Sequence, residues 1–137
     1  MPSTFILPQP LRAQITVEAR AAFPRECCGL IEGTREGEAV HAAALHPTAN
    51  FSAAPDSFEI DPSAHIRLLR TLRGTGRRIV GCYHSHPNGR PEPSERDRAS
   101  GGEEGFVWLI AALDDGAGPL EFAAYEATSF RLLLLAD

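Results

Sequence analysis

The sequence predicts an α+β domain built on a mixed central sheet flanked by helices, and three features lead there. Two segments carry apolar residues at helical spacing, and several short apolar runs bounded by Gly- and Pro-containing turns read as strands. The two kinds of element mingle without strict βαβ alternation, which favours α+β over a doubly wound parallel sheet. With 137 residues the chain is expected to form one domain, 1–137, able to bury a core without disulfide or metal staples.

Residues 11–23 place Leu11, Ile15, Ala19 and Ala22 on one helical stripe, and Pro24 stops the helix. Residues 27–31 and 39–45 are apolar runs joined by a turn over 34–37, so a hairpin is expected. Phe58 and Ile60 alternate with polar neighbours as in a short strand. Asp61 then offers an N-cap with Pro62 at the first helical position, opening a helix with Ala64, Leu68, Leu69 and Leu72 inward that ends at Gly74. Residues 77–84 read as a buried strand, 88–93 as a loop, and 94–99 as a short helix broken by Gly101-Gly102. Residues 106–113, 120–127 and 130–135 read as three more strands, the first two joined by a turn over 114–119.

A formal charge of −5 argues against a nucleic-acid binder, which would show a basic surplus. Every basic residue except histidine is arginine, which we read as codon bias. Cys27, Cys28 and Cys82 are too few, and odd in number, for a secreted disulfide framework, so they read as inert thiols in a reducing cytosol. Residues 1–10 lack the pattern of a signal peptide, and no apolar run is long enough to span a bilayer. A cytoplasmic protein without a membrane partner is the expectation.

The chemistry concentrates in Tyr83-His84-Ser85-His86-Pro87 and Pro93-Ser94-Glu95-Arg96-Asp97. On a strand, His84 and His86 project from one face and Ser85 from the other. Asp97 follows Ser94 by three residues, one helical turn on, and can add a carboxylate if the loop folds back over the strand end. Two imidazoles, one carboxylate and an open fourth position are the donor set of catalytic zinc rather than of a closed structural site. Such a site also needs a base that is not a ligand. Glu26, opening the run 27–31 right after a helix stop, is the leading candidate, although spacing alone leaves Glu18, Glu32, Glu36 and Glu38 open.

His84-Ser85-His86, seven residues, Ser94, two residues and Asp97 resemble the JAMM (MPN-plus) zinc metallopeptidase signature at every defined position. Glu26-Cys27-Cys28-Gly29-Leu30 resembles the upstream Glu block of that family. Residues 50–58 and Asp61-Pro62 are similar to the connecting segment of its small prokaryotic members. The resemblance implies a JAB/MPN (cytidine-deaminase-like) architecture and one Zn2+ per chain on His84, His86 and Asp97. It implies Glu26 as general base and Ser94 as donor to the oxyanion, in hydrolysis of a peptide or isopeptide bond. The partner it implies is a ubiquitin-like or sulfur-carrier protein with a Gly-Gly C-terminus. The chain has no room for the long insertions of the eukaryotic members that cleave ubiquitin chains, which argues against that specificity. A small-molecule amide hydrolase on the same site, or an inactive MPN scaffold, are the alternatives.

Several residues have plainer readings. Ser94 followed by Asp97 is close to a capping box, a role compatible with donation by the same hydroxyl. His41, His46 and His65 read as ordinary strand, loop and helix residues. Arg67, Arg70 and Arg73 read as a solvated helix face, Arg90 as a candidate substrate contact, and Phe106 and Trp108 as core.

Overall fold

The computed structural model describes residues 1–115 and 117–137. Its elements are β1 (Thr4–Ile6), α1 (Gln9–Ala22), β2 (Cys28–Glu36), β3 (Ala39–Thr48), α2 (Pro62–Leu72), β4 (Arg78–His86), α3 (Glu95–Ser100), β5 (Val107–Asp114), β6 (Ala117–Glu126) and β7 (Leu134–Ala136). The strands form one mixed sheet in the order β6-β5-β4-β2-β3-β1-β7. The β2–β3 hairpin is antiparallel and turns at Gly37, whose φ of 60° suits a residue without Cβ. β4 lies between β2, antiparallel, and β5, parallel. β5 and β6 pair antiparallel as expected, although the turn predicted over 114–119 includes Gly116, which lies outside the described residues.

Each face of the sheet carries its own apolar cluster. One gathers Phe5, Ile15, Ile31, Val40, Tyr83 and Leu109 on the side of α1. The other gathers Leu30, Leu68, Leu72, Ile79, Trp108 and Ile110 on the side of α2. The alternation of Leu30 with Ile31 and of Cys82 with Tyr83 between the two clusters is the period of two that a strand imposes.

The structure departs from the sequence reading at five places. The turn expected over 34–37 is tighter, because β2 runs on through Glu36 and pairs it with Ala39. Residues 58–60 form no strand: Ile60 makes a single bridge to Asn50, and Phe58 turns onto the α2 face of the sheet. The strand predicted over 130–135 shrinks to β7. Residues 131–133 instead bond irregularly back to β6, through Arg131 O to Glu126 N and Leu133 N to Ala124 O, because Phe130 adopts φ 54°. β1, too short to show a periodicity, is held in parallel between β3 and β7. Leu69 is not inward: it is 51% exposed, since Leu68 and Leu72 already occupy the buried face of α2.

Candidate metal centre and active site

Strand register assembles the site. Cys28 pairs with His84 across the antiparallel β2–β4 ladder, and Ser85 N donates to Cys27 O at 3.0 Å. Extending that register sets Glu26 beside His86, on the same face as His84 and Cys28. Ser85 faces the other way, and its Oγ accepts from Cys27 N at 2.8 Å, fixing the backbone that carries Glu26. Asn50 supports the same backbone by donating from Nδ2 to Glu26 O at 3.0 Å.

Asp97 arrives from α3. Ser94 caps that helix with a reciprocal box: Asp97 N donates to Ser94 Oγ at 3.1 Å, and Ser94 N donates to Asp97 Oδ2 at 2.9 Å. The cap aims the Asp97 carboxylate at the end of β4, and Asp97 is buried despite the exposure of its helix neighbours. Three donor atoms meet there. His84 Nε2 and His86 Nε2 are 3.0 Å apart, and Asp97 Oδ2 lies 3.3 Å from the first and 3.0 Å from the second.

The chemistry of this triangle fits a metal ion. A tetrahedral ion with nitrogen and oxygen ligands at about 2.0–2.2 Å needs donor atoms roughly 3.3–3.5 Å apart, close to the observed edges. His86 Nδ1 donates to the Arg90 carbonyl at 2.8 Å, so that nitrogen holds its proton and Nε2 of the neutral ring offers a lone pair to the triangle. Arg90 thus touches the site through its backbone. The ring of Phe58 stacks on His84 with centroids 4.2 Å apart, and Trp108 meets His84 edge-on at 5.7 Å. The Glu26 carboxylate and the rings of His84 and His86 form a second, looser set of potential metal donors within 4.8 Å of one another. The tighter set with Asp97 is the better cage, and the looser spacing of Glu26 suits a group that acts across a water.

The electrostatics separate the two carboxylates. Burial pushes Glu26 up to about 7, with His86 offsetting part of the rise and Asp97 adding to it. Glu26 is 6% exposed, and its Oε1 has no hydrogen-bond partner. Burial also acts on Asp97, but hydrogen bonds from His84, His86 and the Ser94 amide outweigh it and hold that carboxyl far below the usual range. Burial lowers His84 against the opposing bond to Asp97. For His86, burial is outweighed by the bonds to Asp97 and the Arg90 carbonyl, which raise it. Two acids with opposite shifts in one cleft are the pattern of a base beside a ligand.

Of the other acids that spacing left open, Glu38 lies exposed at the turn between β2 and β3, and the remaining three are engaged elsewhere. Glu32 accepts from Arg77 and pairs with His46, both at 2.8 Å. Glu18 accepts from Tyr83 Oη under α1, and Glu36 lies 3.4 Å from His41 at the far end of the hairpin. His41, His46 and His65 stay apart from the cage, and the three cysteines are free thiols. Phe58 and Asn50 are the contributors that sequence reasoning missed; the signal for Phe58 was read as strand alternation.

Known proteins resemble this chain in sequence and in fold. Residues 8–132 match the family model for prokaryotic homologs of the JAB domain. A desampylase from Haloferax volcanii is 35% identical over 114 residues, covering 82% of this chain and 78% of that protein. A Thermus thermophilus protein named "Probable TtuB-protein conjugate cleaving protease" is 37% identical over 87 residues, covering 63% of this chain and 53% of that protein. In fold, a JAB1/MPN-domain protein from Archaeoglobus fulgidus superposes with a TM-score of 0.62 at 18% identity, covering 98% of this chain and 99% of that one.

Proposed function

The chain belongs to the family of prokaryotic JAB-domain homologues, and on that premise we propose that it is a zinc-dependent JAMM-type peptidase that cleaves ubiquitin-like protein conjugates. The observation that carries this reading is the triangle of His84 Nε2, His86 Nε2 and Asp97 Oδ2, with edges of 3.0–3.3 Å, beside the unpartnered Glu26 carboxylate. In this reading His84, His86 and Asp97 hold one Zn2+ per chain. The ion would supply Lewis-acid chemistry, activating water and polarising the scissile carbonyl.

The remaining steps belong to the side chains. Glu26 Oε1 takes a proton from the attacking water and returns it to the leaving amine, a shuttle favoured by a pKa near the working pH. Ser94 Oγ spends a lone pair on the Asp97 amide, and its proton remains free to donate to the developing oxyanion of the substrate. Water and amide become carboxylic acid and amine with Glu26 restored, and the acid then gives its proton to the amine, leaving carboxylate and ammonium.

The names of the Haloferax and Thermus relatives support a protein conjugate as substrate. A Gly-Gly end on the ubiquitin-like partner suits a narrow approach to buried ligands, because residues without Cβ pass where others do not. The test is incubation of the enzyme with a ubiquitin-like carrier joined through its C-terminal glycine, followed by intact mass. Release of the carrier ending at Gly-Gly, abolished by chelation and restored by zinc, is expected. Efficient hydrolysis of small amides with untouched conjugates would overturn the substrate assignment.

A further inference from the structure

The exposure of Leu69 points to a surface the catalytic reading does not use. Ile66 and Leu69 are each 51% exposed on α2, and with Arg70 and Arg73 they fall at i, i+3, i+4 and i+7 on the outer face of the helix. Residues 62–91 hold six arginines, at 67, 70, 73, 77, 78 and 90, and no acid, inside a chain of net charge −5. Arg77 is held by Glu32 at 2.8 Å. Arg67, Arg70, Arg73 and Arg78 are exposed and form no ion pair among the described residues. Segregated charge of one sign around exposed apolar side chains is what a recognition surface presents, whereas a merely solvated face mixes both signs.

This surface reaches the aromatic rings that back His84, while Glu26, His86 and Ser94 line a separate opening. Leu69 and Ile79 line a groove with Arg73, Arg77 and Arg78 at one end, and the same two residues line a second groove of about 430 Å³ that reaches Phe58 and Trp108. Phe58 is the ring stacked on His84. Glu59 and Glu103 sit in that second groove, so an acidic body is favoured at the arginine end and disfavoured nearer the site. The geometry points to α2 as the docking surface for the folded, acidic body of the ubiquitin-like substrate. Ile66 and Leu69 meet an apolar spot on it, and Arg70, Arg73 and Arg78 meet the carboxylates around that spot. The apolar floor and the overall negative charge favour a protein over a nucleic acid as occupant. This assignment rests on the proposed peptidase reading for the identity of its partner. It concerns affinity and not the chemical step.

The test uses the full-length protein against an acidic ubiquitin-like carrier joined through its C-terminal glycine, and against a short peptide spanning only that junction. Arg70→Gln with Arg73→Gln is expected to raise both Kd and KM for the carrier at least about tenfold, with kcat within about twofold and peptide hydrolysis unchanged. Added salt should weaken wild-type binding more steeply than binding of the variant, which keeps Arg78. Leu69→Ser reports the apolar contact separately, and thermal melts identify any variant that is not folded. An unchanged Kd and KM in the arginine variant overturns the surface. So does wild-type binding to single-stranded RNA that this variant loses while its carrier affinity stays intact. Cleavage of the carrier that ignores Arg70 and Arg73 leaves the peptidase reading standing without the surface. Arginine-dependent carrier binding with neither substrate cleaved leaves the surface standing without the peptidase reading, and a carrier neither bound nor cleaved removes both.

Discussion

Replacing Glu26 by glutamine keeps the shape of the side chain and removes its ability to take a proton, so activity and stability should move in opposite directions. General acid–base contributions run about 10²–10⁴-fold, equivalent to roughly 3–5 kcal/mol of barrier, and kcat should fall within that range. The proposed ligands are untouched, so metal content should stay at one per chain. Stability follows from burial: the folded pKa is about 7 against an ordinary 4.5. An acid with a raised folded pKa binds its proton more tightly when folded, so ionisation removes stability as pH rises from about 4.5 through about 7. The shift corresponds to roughly 3 kcal/mol at most, and solvent at the mouth of the cleft reduces this to about 1–2 kcal/mol. Chelated wild-type protein should therefore melt below the variant at pH 8 and together with it near pH 4. The assays are single-turnover cleavage and thermal unfolding of metal-free protein across that range. A variant that turns over like wild type refutes Glu26 as base, and a variant less stable at pH 8 refutes the account of its unpartnered burial.

Asp97→Ala should lower zinc occupancy far more than Ser94→Ala, because only Asp97 offers an atom to the triangle; elemental analysis of purified protein separates the two, and full zinc in the Asp97 variant would remove it from the ligand set. Ser94→Ala should still cost about 1 kcal/mol of stability through the lost cap, measured by denaturant unfolding. Glu126 is buried with five donors from Gly105, Thr128 and Ser129, which outweigh the upward push of burial and hold it at about 2. Glu126→Gln should destabilise by about 2–4 kcal/mol at neutral pH. For this lowered pKa the advantage of the carboxylate is full above about 4.5 and shrinks as pH falls towards 2, so the gap between wild type and variant should narrow over that window in urea titrations. Phe58→Ala should cost about 2 kcal/mol and alter the fluorescence of Trp108, the single tryptophan, since the two rings meet at 5.5 Å; an unchanged spectrum would mean that residues 50–60 do not hold Phe58 over His84 in solution.

Much of this protein is legible along the chain because it depends on neighbours a few residues apart. The alternation of His84, Ser85 and His86 follows from strand geometry, and the reciprocal bonds of Ser94 and Asp97 span one helical turn. Asp61 and Pro62 announce α2 in the same local way, Asp61 accepting from Ser63 N. Other features needed partners distant in sequence. Glu26 stands out from Glu18 and Glu32 only once the antiparallel register sets Cys28 opposite His84 and engages the rivals with Tyr83 and Arg77. β1 becomes a strand only between β3 and β7, more than thirty and more than a hundred residues away. Leu69 and Leu68 are indistinguishable by composition, and the packing of α2 on β4 alone decides which is buried. Helical turns, caps and strand alternation are short-range hydrogen-bond and steric effects that the sequence by itself determined. Register and helix rotation depend on how distant segments share one core, and only the tertiary structure decided them.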